Sequence, residues 1–162
     1  MNAWCGSALA RRLAELPGAR PERPFAFAHD GVLLHGRLDV LWQDGERALV
    51  VDYKTNALLA AEPEQVVEEE YRVQRMVYAL ACLRAGAVEA EVAYVFLERP
   101  DDVVRATFSA AEVPALEAEL SAAIARIRTG EFRPTPSPFA CAGCPALDVV
   151  CAGPRLGAAP EQ

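Results

Sequence analysis

Residues 31–56, GVLLHGRLDVLWQDGERALVVDYKTN, hold two runs that alternate apolar and polar side chains on either side of Asp44-Gly45. That dipeptide supplies the left-handed backbone a tight turn needs, so the stretch predicts a β-hairpin. Side chains in a strand alternate faces, so the register decides which residues meet. A two-residue loop at Asp44-Gly45 and a four-residue loop from Gln43 to Glu46 give the same pairing: Asp39 opposite Val50, Arg37 opposite Asp52. One face then carries Val32, Leu34, Leu38, Val40 and Trp42 with Leu49, Val51 and Tyr53, a core surface. The other collects His35, Arg37, Asp39, Asp52 and Lys54, with His35 opposite Lys54. Asp39 and Asp52 become diagonal neighbours roughly 7–8 Å apart at the backbone, within reach of one ion.

Working outward, the 162 residues are 52% hydrophobic, enough for one domain with a real core. No long apolar run and no secretory leader are visible, so the expectation is a cytoplasmic protein with no membrane partner. A net charge of -7 argues against a broadly basic nucleic-acid surface. Charge is uneven, however: Arg11, Arg12, Arg20 and Arg23 precede the hairpin and Glu62, Glu64, Glu68, Glu69 and Glu70 follow it, which leaves room for a local basic groove.

Residues 7–16 carry Leu9, Leu13 and Leu16 at helical spacing and end at Pro17-Gly18. Residues 20–24 read as a connector and Pro24–Phe27 as a strand turning at His29-Asp30-Gly31. From Glu64 to Arg84 an apolar stripe predicts one long helix, with Gln74 and Tyr78 on one face and Glu68 able to pair with Arg72. Strands follow at 89–98 and 103–108, then a turn at Ser109–Glu112 and a helix from Pro114 to Gly130. PTPSPF is a stiff connector to the cysteine segment, and residues 152–162 are expected to be a disordered tail after a domain spanning 1–151.

Two carboxylates at adjoining sheet positions suit magnesium or manganese, which take oxygen ligands and keep waters. The Tyr53 backbone carbonyl is a natural third ligand. Lys54, two residues past Asp52, places its ammonium beside a developing phosphate charge. Together they suit phosphodiester hydrolysis. Asp-x-Lys alone is common; the independent register argument for Asp39, the space spared beside it by Gly36, and the Gln74/Tyr78 face strengthen it.

GRLD, VVDYKT and YRVQRMVYALA, taken together, resemble the successive motifs of the PD-(D/E)XK nucleases, specifically the RecB-type domain of helicase-nucleases. The resemblance implies an α/β restriction-endonuclease-like core: a mixed sheet of about five strands flanked by helices, with a cysteine-rich C-terminal segment. It implies metal binding at Asp39 and Asp52, a catalytic lysine at Lys54, and a helix motif at Gln74 and Tyr78 near DNA. It further implies a magnesium-dependent deoxyribonuclease, exonuclease in type, acting on single strands or duplex ends in double-strand-break repair, with a helicase module in the same chain or complex. The family's upstream metal-binding histidine has no match: His29 reads as a turn residue and His35 as structural or substrate-neighbouring. Either the domain's N-terminal part lies outside this chain or that ligand is lost, and in the second case the chain is a DNA-binding scaffold. Glu22 stands where related nucleases carry an acidic residue, or is a solvated loop carboxylate.

Cys141-x2-Cys144-x6-Cys151 is tight enough to select zinc or an iron-sulfur cluster, and an odd count of five cysteines points away from a disulfide framework. Spacing does not choose between the metals. The resemblance favours a 4Fe-4S cluster held by one early and three late cysteines, with Cys5 as candidate fourth ligand. Cys82, on an apolar helix face, reads as a small buried residue.

Overall fold

The computed structural model describes residues 2–58, 61–137, 141, 143–151 and 153. Chain order is α1 (Asn2–Cys5), α2 (Ala8–Glu15), β1 (Arg20–His29), β2 (Val32–Gln43), β3 (Arg47–Lys54), α3 (Pro63–Glu70), α4 (Arg72–Arg84), β4 (Glu89–Phe96), β5 (Val104–Ser109) and α5 (Val113–Arg128). The strands form one sheet in the order β1-β2-β3-β4-β5. The β3–β4 pair is parallel and the other three are antiparallel. A parallel neighbour needs a crossover, and α3–α4 supplies it. This is the mixed, helix-flanked α/β sheet of the restriction-endonuclease-like fold.

The local reasons follow the residues. Ser7 caps α2 by accepting the Ala10 N–H at 3.2 Å. Ser109 and Glu112 make the reciprocal bonds of a capping box across a single 3-10 turn, and Pro114 enters α5 in its first turn, where no backbone donor is missed. β3 and β4, central in the sheet, are buried almost throughout, as strands covered on both faces must be. β1 starts at Arg20, four residues before the expected strand: as the outer strand it tolerates Pro21 and Pro24, whose missing donors face no partner.

Two cores lie on opposite faces. The larger gathers Ala48, Val50 and Leu38 with Val66, Val67, Leu80, Tyr94, Phe96, Leu116 and Leu120, under α3, α4 and α5. The smaller joins Leu9, Leu49, Val51, Ala93 and Val95, with Trp4, Val40 and Trp42 at its margin, under α1 and α2. The single core face expected of β2 is therefore divided: Val32, Leu34 and Leu38 pack in the larger cluster, Val40 and Trp42 in the smaller. The cause is a kink shared by two strands. Arg23 pairs with Leu38 and Pro21 with Val40, while Glu22 and Asp39 between them break the ladder. Glu22 sits at φ 53°, a left-handed conformation costing a non-glycine residue about 1–2 kcal/mol. Beyond this point the alternation changes phase in both strands.

The long helix expected over 64–84 is two helices. Tyr71, at φ -118° and ψ 5°, ends α3 and begins α4. Its ring is stacked on Tyr94 with centroids 5.8 Å apart. Glu68 bridges the break, 3.6 Å from Arg72 and 2.6 Å from Arg75. Among the described residues, no helix is long and apolar enough to cross a membrane.

Candidate active site

β2 and β3 pair only from Gln43↔Ala48 to Val40↔Val51 and then part, while β2 pairs with β1 from Val32 to Leu41 except at Asp39. Leu41, not Asp39, faces Val50: the pairing has slid two residues from the expected register. The loop closes one residue later than expected, with the Asp44 N–H donating to Arg47 O and the Arg47 N–H to Asp44 Oδ1, both at 3.1 Å. A slide of two preserves the pleat, so the carboxylates still come together. At the fork, where Tyr53 has no ladder partner on β2, its N–H donates to Asp39 Oδ2 at 2.8 Å. Asp39 takes over the role of the missing strand.

Beside it lies a closed polar ring. Tyr78 donates its hydroxyl proton to Asp52 Oδ1 at 3.1 Å, and Gln74 Nε2 donates to the Tyr78 oxygen at 2.9 Å. Lys54 Nζ donates to Gln74 Oε1 at 2.9 Å and stands 2.7 Å from Asp52 Oδ2. The i, i+2 spacing of β3 and the i, i+4 spacing of α4 make this ring possible. Asp52 is 3% exposed and Lys54, the chain's sole lysine, 9%. At 2.7 Å the Lys54 ammonium is the neutralising partner of Oδ2, which is buried and meets no other donor among the described residues.

Burial pushes the Asp52 carboxyl up from its ordinary range; Lys54 and the Tyr78 hydroxyl oppose this, and the Asp39 charge adds to it. Burial and the charges of Asp52 and Asp39 also push Tyr78 well up, so it stays a phenol able to donate. The Asp39 charge is thus felt at both Asp52 and Tyr78. Two mutually repelling carboxylates, one of them with an oxygen held only by the Lys54 ammonium, are a donor set that a hard divalent cation fits. Among the described residues, no three His, Cys, Asp or Glu side chains form a metal-holding group. The donors on hand are therefore the two carboxylates, backbone carbonyls and water.

Two aromatic residues escaped the sequence reading. Lys54 Nζ lies 3.8 Å from the Tyr71 ring centroid and 5.3 Å from that of Tyr94, and the Tyr94 hydroxyl reaches Gln74 Oε1 at 3.4 Å. The available signal was a tyrosine three residues before Gln74, counted there as one more apolar position. Gly36 has a different use from the one expected. A Cβ there would lie 2.9 Å from the Phe25 ring, so the glycine makes room for Phe25, which packs edge-on against Tyr78 at 5.9 Å.

Other candidates lie elsewhere. His35 is exposed and pairs with Ala26 on β1, since the β2–β3 ladder never reaches it. His29 is turned to α4 and α5, 2.9 Å from both Ser121 Oγ and Arg84 Nη2. Glu22 is ion-paired with Arg37 at 3.2 Å. Cys82 is buried, its thiol pushed up to about 11 by desolvation. Cys5 is exposed at the end of α1. Cys141, Cys144 and Cys151 lie in a run of turns where the Gly153 N–H points to Cys151 Sγ at 3.4 Å, and a Cβ on Gly153 would be 3.8 Å from Cys141 Sγ. The expected tail, apart from Gly153, lies outside the described residues.

A family model described as the PD-(D/E)XK nuclease superfamily matches residues 3–151. No curated protein matches the chain. A solved structure titled "Crystal structure of SSO0001" is similar at 16% identity and a TM-score of 0.49, with 90% of this chain and 65% of that chain covered. The present chain thus spans less than two thirds of that protein's length.

Proposed function

The chain belongs to the PD-(D/E)XK nuclease superfamily, whose chemistry is nuclease-type phosphodiester hydrolysis, and from that premise we propose that it is a metal-dependent deoxyribonuclease domain of RecB type. Its substrate is single-stranded DNA or duplex ends, and its setting is double-strand-break repair beside a helicase module. The observation that carries the reading is the buried ring Asp52–Lys54–Gln74–Tyr78 with Asp39 at its edge, in which the Lys54 ammonium stands 2.7 Å from Asp52 Oδ2.

Magnesium or manganese at Asp39, Asp52 and the Tyr53 carbonyl would supply Lewis-acid neutralisation of phosphate charge. The chain's own groups do the rest. Tyr78 fixes Asp52 Oδ1, and Lys54 Nζ stands 2.7 Å from Oδ2, so the carboxylate is held in one orientation beside the ammonium. Gln74 and the Tyr71 face hold the Lys54 ammonium where negative charge grows on the phosphate oxygens, preorganised and largely shielded from water. The test is magnesium-dependent cleavage of a labelled single strand. Asp52→Ala and Lys54→Ala should each lower the rate at least about a hundredfold; wild-type rates in either would overturn the assignment.

A second reading, a DNA-binding scaffold that keeps the fold, is favoured by the lack of a third acidic, histidine or cysteine ligand among the described residues. It requires DNA binding without turnover in magnesium or manganese. For the C-terminal segment, we read Cys141, Cys144 and Cys151 with Cys5 as ligands of a 4Fe-4S cluster that pins residues up to 151 to the domain, zinc being the alternative. Brown, iron- and sulfide-containing protein from anaerobic purification supports the cluster; colourless zinc protein refutes it.

A further inference from the structure

The kink at Glu22 has an effect on the rest of β1. Residues three apart in a regular strand point to opposite faces. The phase change places Arg20 and Arg23 on one side instead, opposite Leu41 and Leu38 of the larger core face. There they line a trough made of two continuous hollows. One, of about 260 Å³, is bordered by Arg20, Arg23, Leu41 and Gln43. The other, of about 240 Å³, shares Arg23, Leu41 and Gln43 and continues along Phe25 and Phe27 beneath the end of α4. It runs toward the candidate centre, because Phe25 is also the ring that packs on Tyr78.

The charges are unusual for this molecule. Most arginines of the described chain are ion-paired, including Arg12, Arg37, Arg47, Arg72, Arg75 and Arg84. Arg20 and Arg23 have neither an ion pair nor a side-chain hydrogen bond among the described residues. The carboxylate between them in sequence, Glu22, is drawn away to Arg37. On a chain of net charge -7, two adjacent unpaired guanidiniums beside an aromatic-walled hollow are complementary to an anion that also carries flat apolar groups.

We propose that Arg20 and Arg23 grip the phosphate backbone of single-stranded DNA, with a base entering the hollow beside Phe25 and Phe27. This rests on the nuclease reading and adds to it the path by which the strand approaches Asp52. Single-stranded rather than duplex DNA is indicated by the hollow, which has room for about one base and none for a paired helix. Backbone contacts of this kind give affinity without sequence preference and act on substrate binding, not on the chemical step.

The experiment measures binding of fluorescent oligothymidine to the whole chain, in calcium to prevent turnover, across a salt series. Each neutralised phosphate contributes a salt slope of about 0.7 on a single strand, or about fivefold in affinity at 0.1 M salt. Arg20→Gln and Arg23→Gln should each weaken binding by about that factor and reduce the slope by about 0.7. The DNA concentration for half-maximal turnover in magnesium should rise by about the same factor, while the thermal midpoint stays at the wild-type value. Arg126→Gln/Arg133→Gln, removing two cations from the α5 end, controls for net charge. Unchanged affinity and slope in the β1 variants overturn the proposal, and so does an equal loss in the control. Equal binding of blunt duplex with the same arginine dependence overturns the single-strand assignment. Wild-type protein that cleaves DNA while Arg20→Gln/Arg23→Gln binds normally refutes this inference alone; wild-type protein that neither binds nor cleaves refutes the nuclease reading.

Discussion

The fork between β2 and β3 and the segment from Cys141 to Cys151 are both short stretches dense in metal-seeking side chains, yet they are held in different ways. At the fork, bonds cross long sequence distances: Tyr53 to Asp39, Lys54 to Gln74, Tyr78 to Asp52, with Phe25 behind Tyr78. In the cysteine segment the shaping bonds are local: Cys141 N–H to Ser137 O, Cys144 N–H to Cys141 O, Cys151 N–H to Ala146 O. A constellation built from several elements is fixed by the fold before any ligand arrives. One built from successive turns is shaped by local bonds, and the cluster proposed above would add a tie to a distant part of the chain.

The contrast breaks first, and most heavily, at Asp52. Asp52→Ala leaves the Lys54 ammonium buried without its close partner, and urea unfolding should report a loss of about 3–5 kcal/mol. Asp52→Ala/Lys54→Met should recover most of that loss, whereas Cys144→Ser in metal-free protein should stay within about 0.5 kcal/mol of wild type. A large loss in Cys144→Ser would erase the distinction.

The thiols sharpen it at intermediate size. Cys82 is neutral in the core, with its pKa raised from 9.0 to about 11. Between those values the unfolded chain releases a proton that the folded chain keeps. The associated stability is therefore present below pH 9 and is lost as pH rises toward 11, by about 1.4 kcal/mol per unit and at most about 2–3 kcal/mol in all. Cys82→Ala should flatten that limb of a stability-versus-pH curve. A thiol reagent at neutral pH should label exposed Cys5 and Cys144 first and reach Cys82 only on unfolding.

The smallest effect concerns the Tyr71 face under Lys54. Tyr71→Leu should lower kcat about five- to thirtyfold with little change in KM, the range set by about 1–2 kcal/mol for a shielded cation–π contact. Tyr71→Phe, which keeps the ring, should restore the rate. If Phe fails where Tyr works, the hydroxyl and not the ring face is what matters.

Much of the site was legible because its rules are local. A turn dipeptide and a two-residue period put Asp39, Asp52 and Lys54 on one face under any even register, including the one that slid by two, and an i, i+4 step puts Gln74 beside Tyr78. What was not legible depends on contacts between distant elements. The kink at Glu22 and Asp39 divides the β2 face between two cores. The helix breaks at Tyr71, whose ring stacks on Tyr94 of β4. Gly36, expected to spare room for Asp39, spares it for a ring on the neighbouring strand.

The sequence by itself determined the order of the five strands, the turn at Asp44-Gly45, and the identity and spacing of the carboxylates, lysine, glutamine and tyrosine, because these follow from patterns a few residues long. Only the tertiary structure decided where β2 and β3 part, which oxygen of Asp52 meets the Lys54 ammonium, and that two arginines three apart in a strand share one side. Each of these is settled by packing between segments far apart in the chain, and a period of two or four residues carries no information about such contacts.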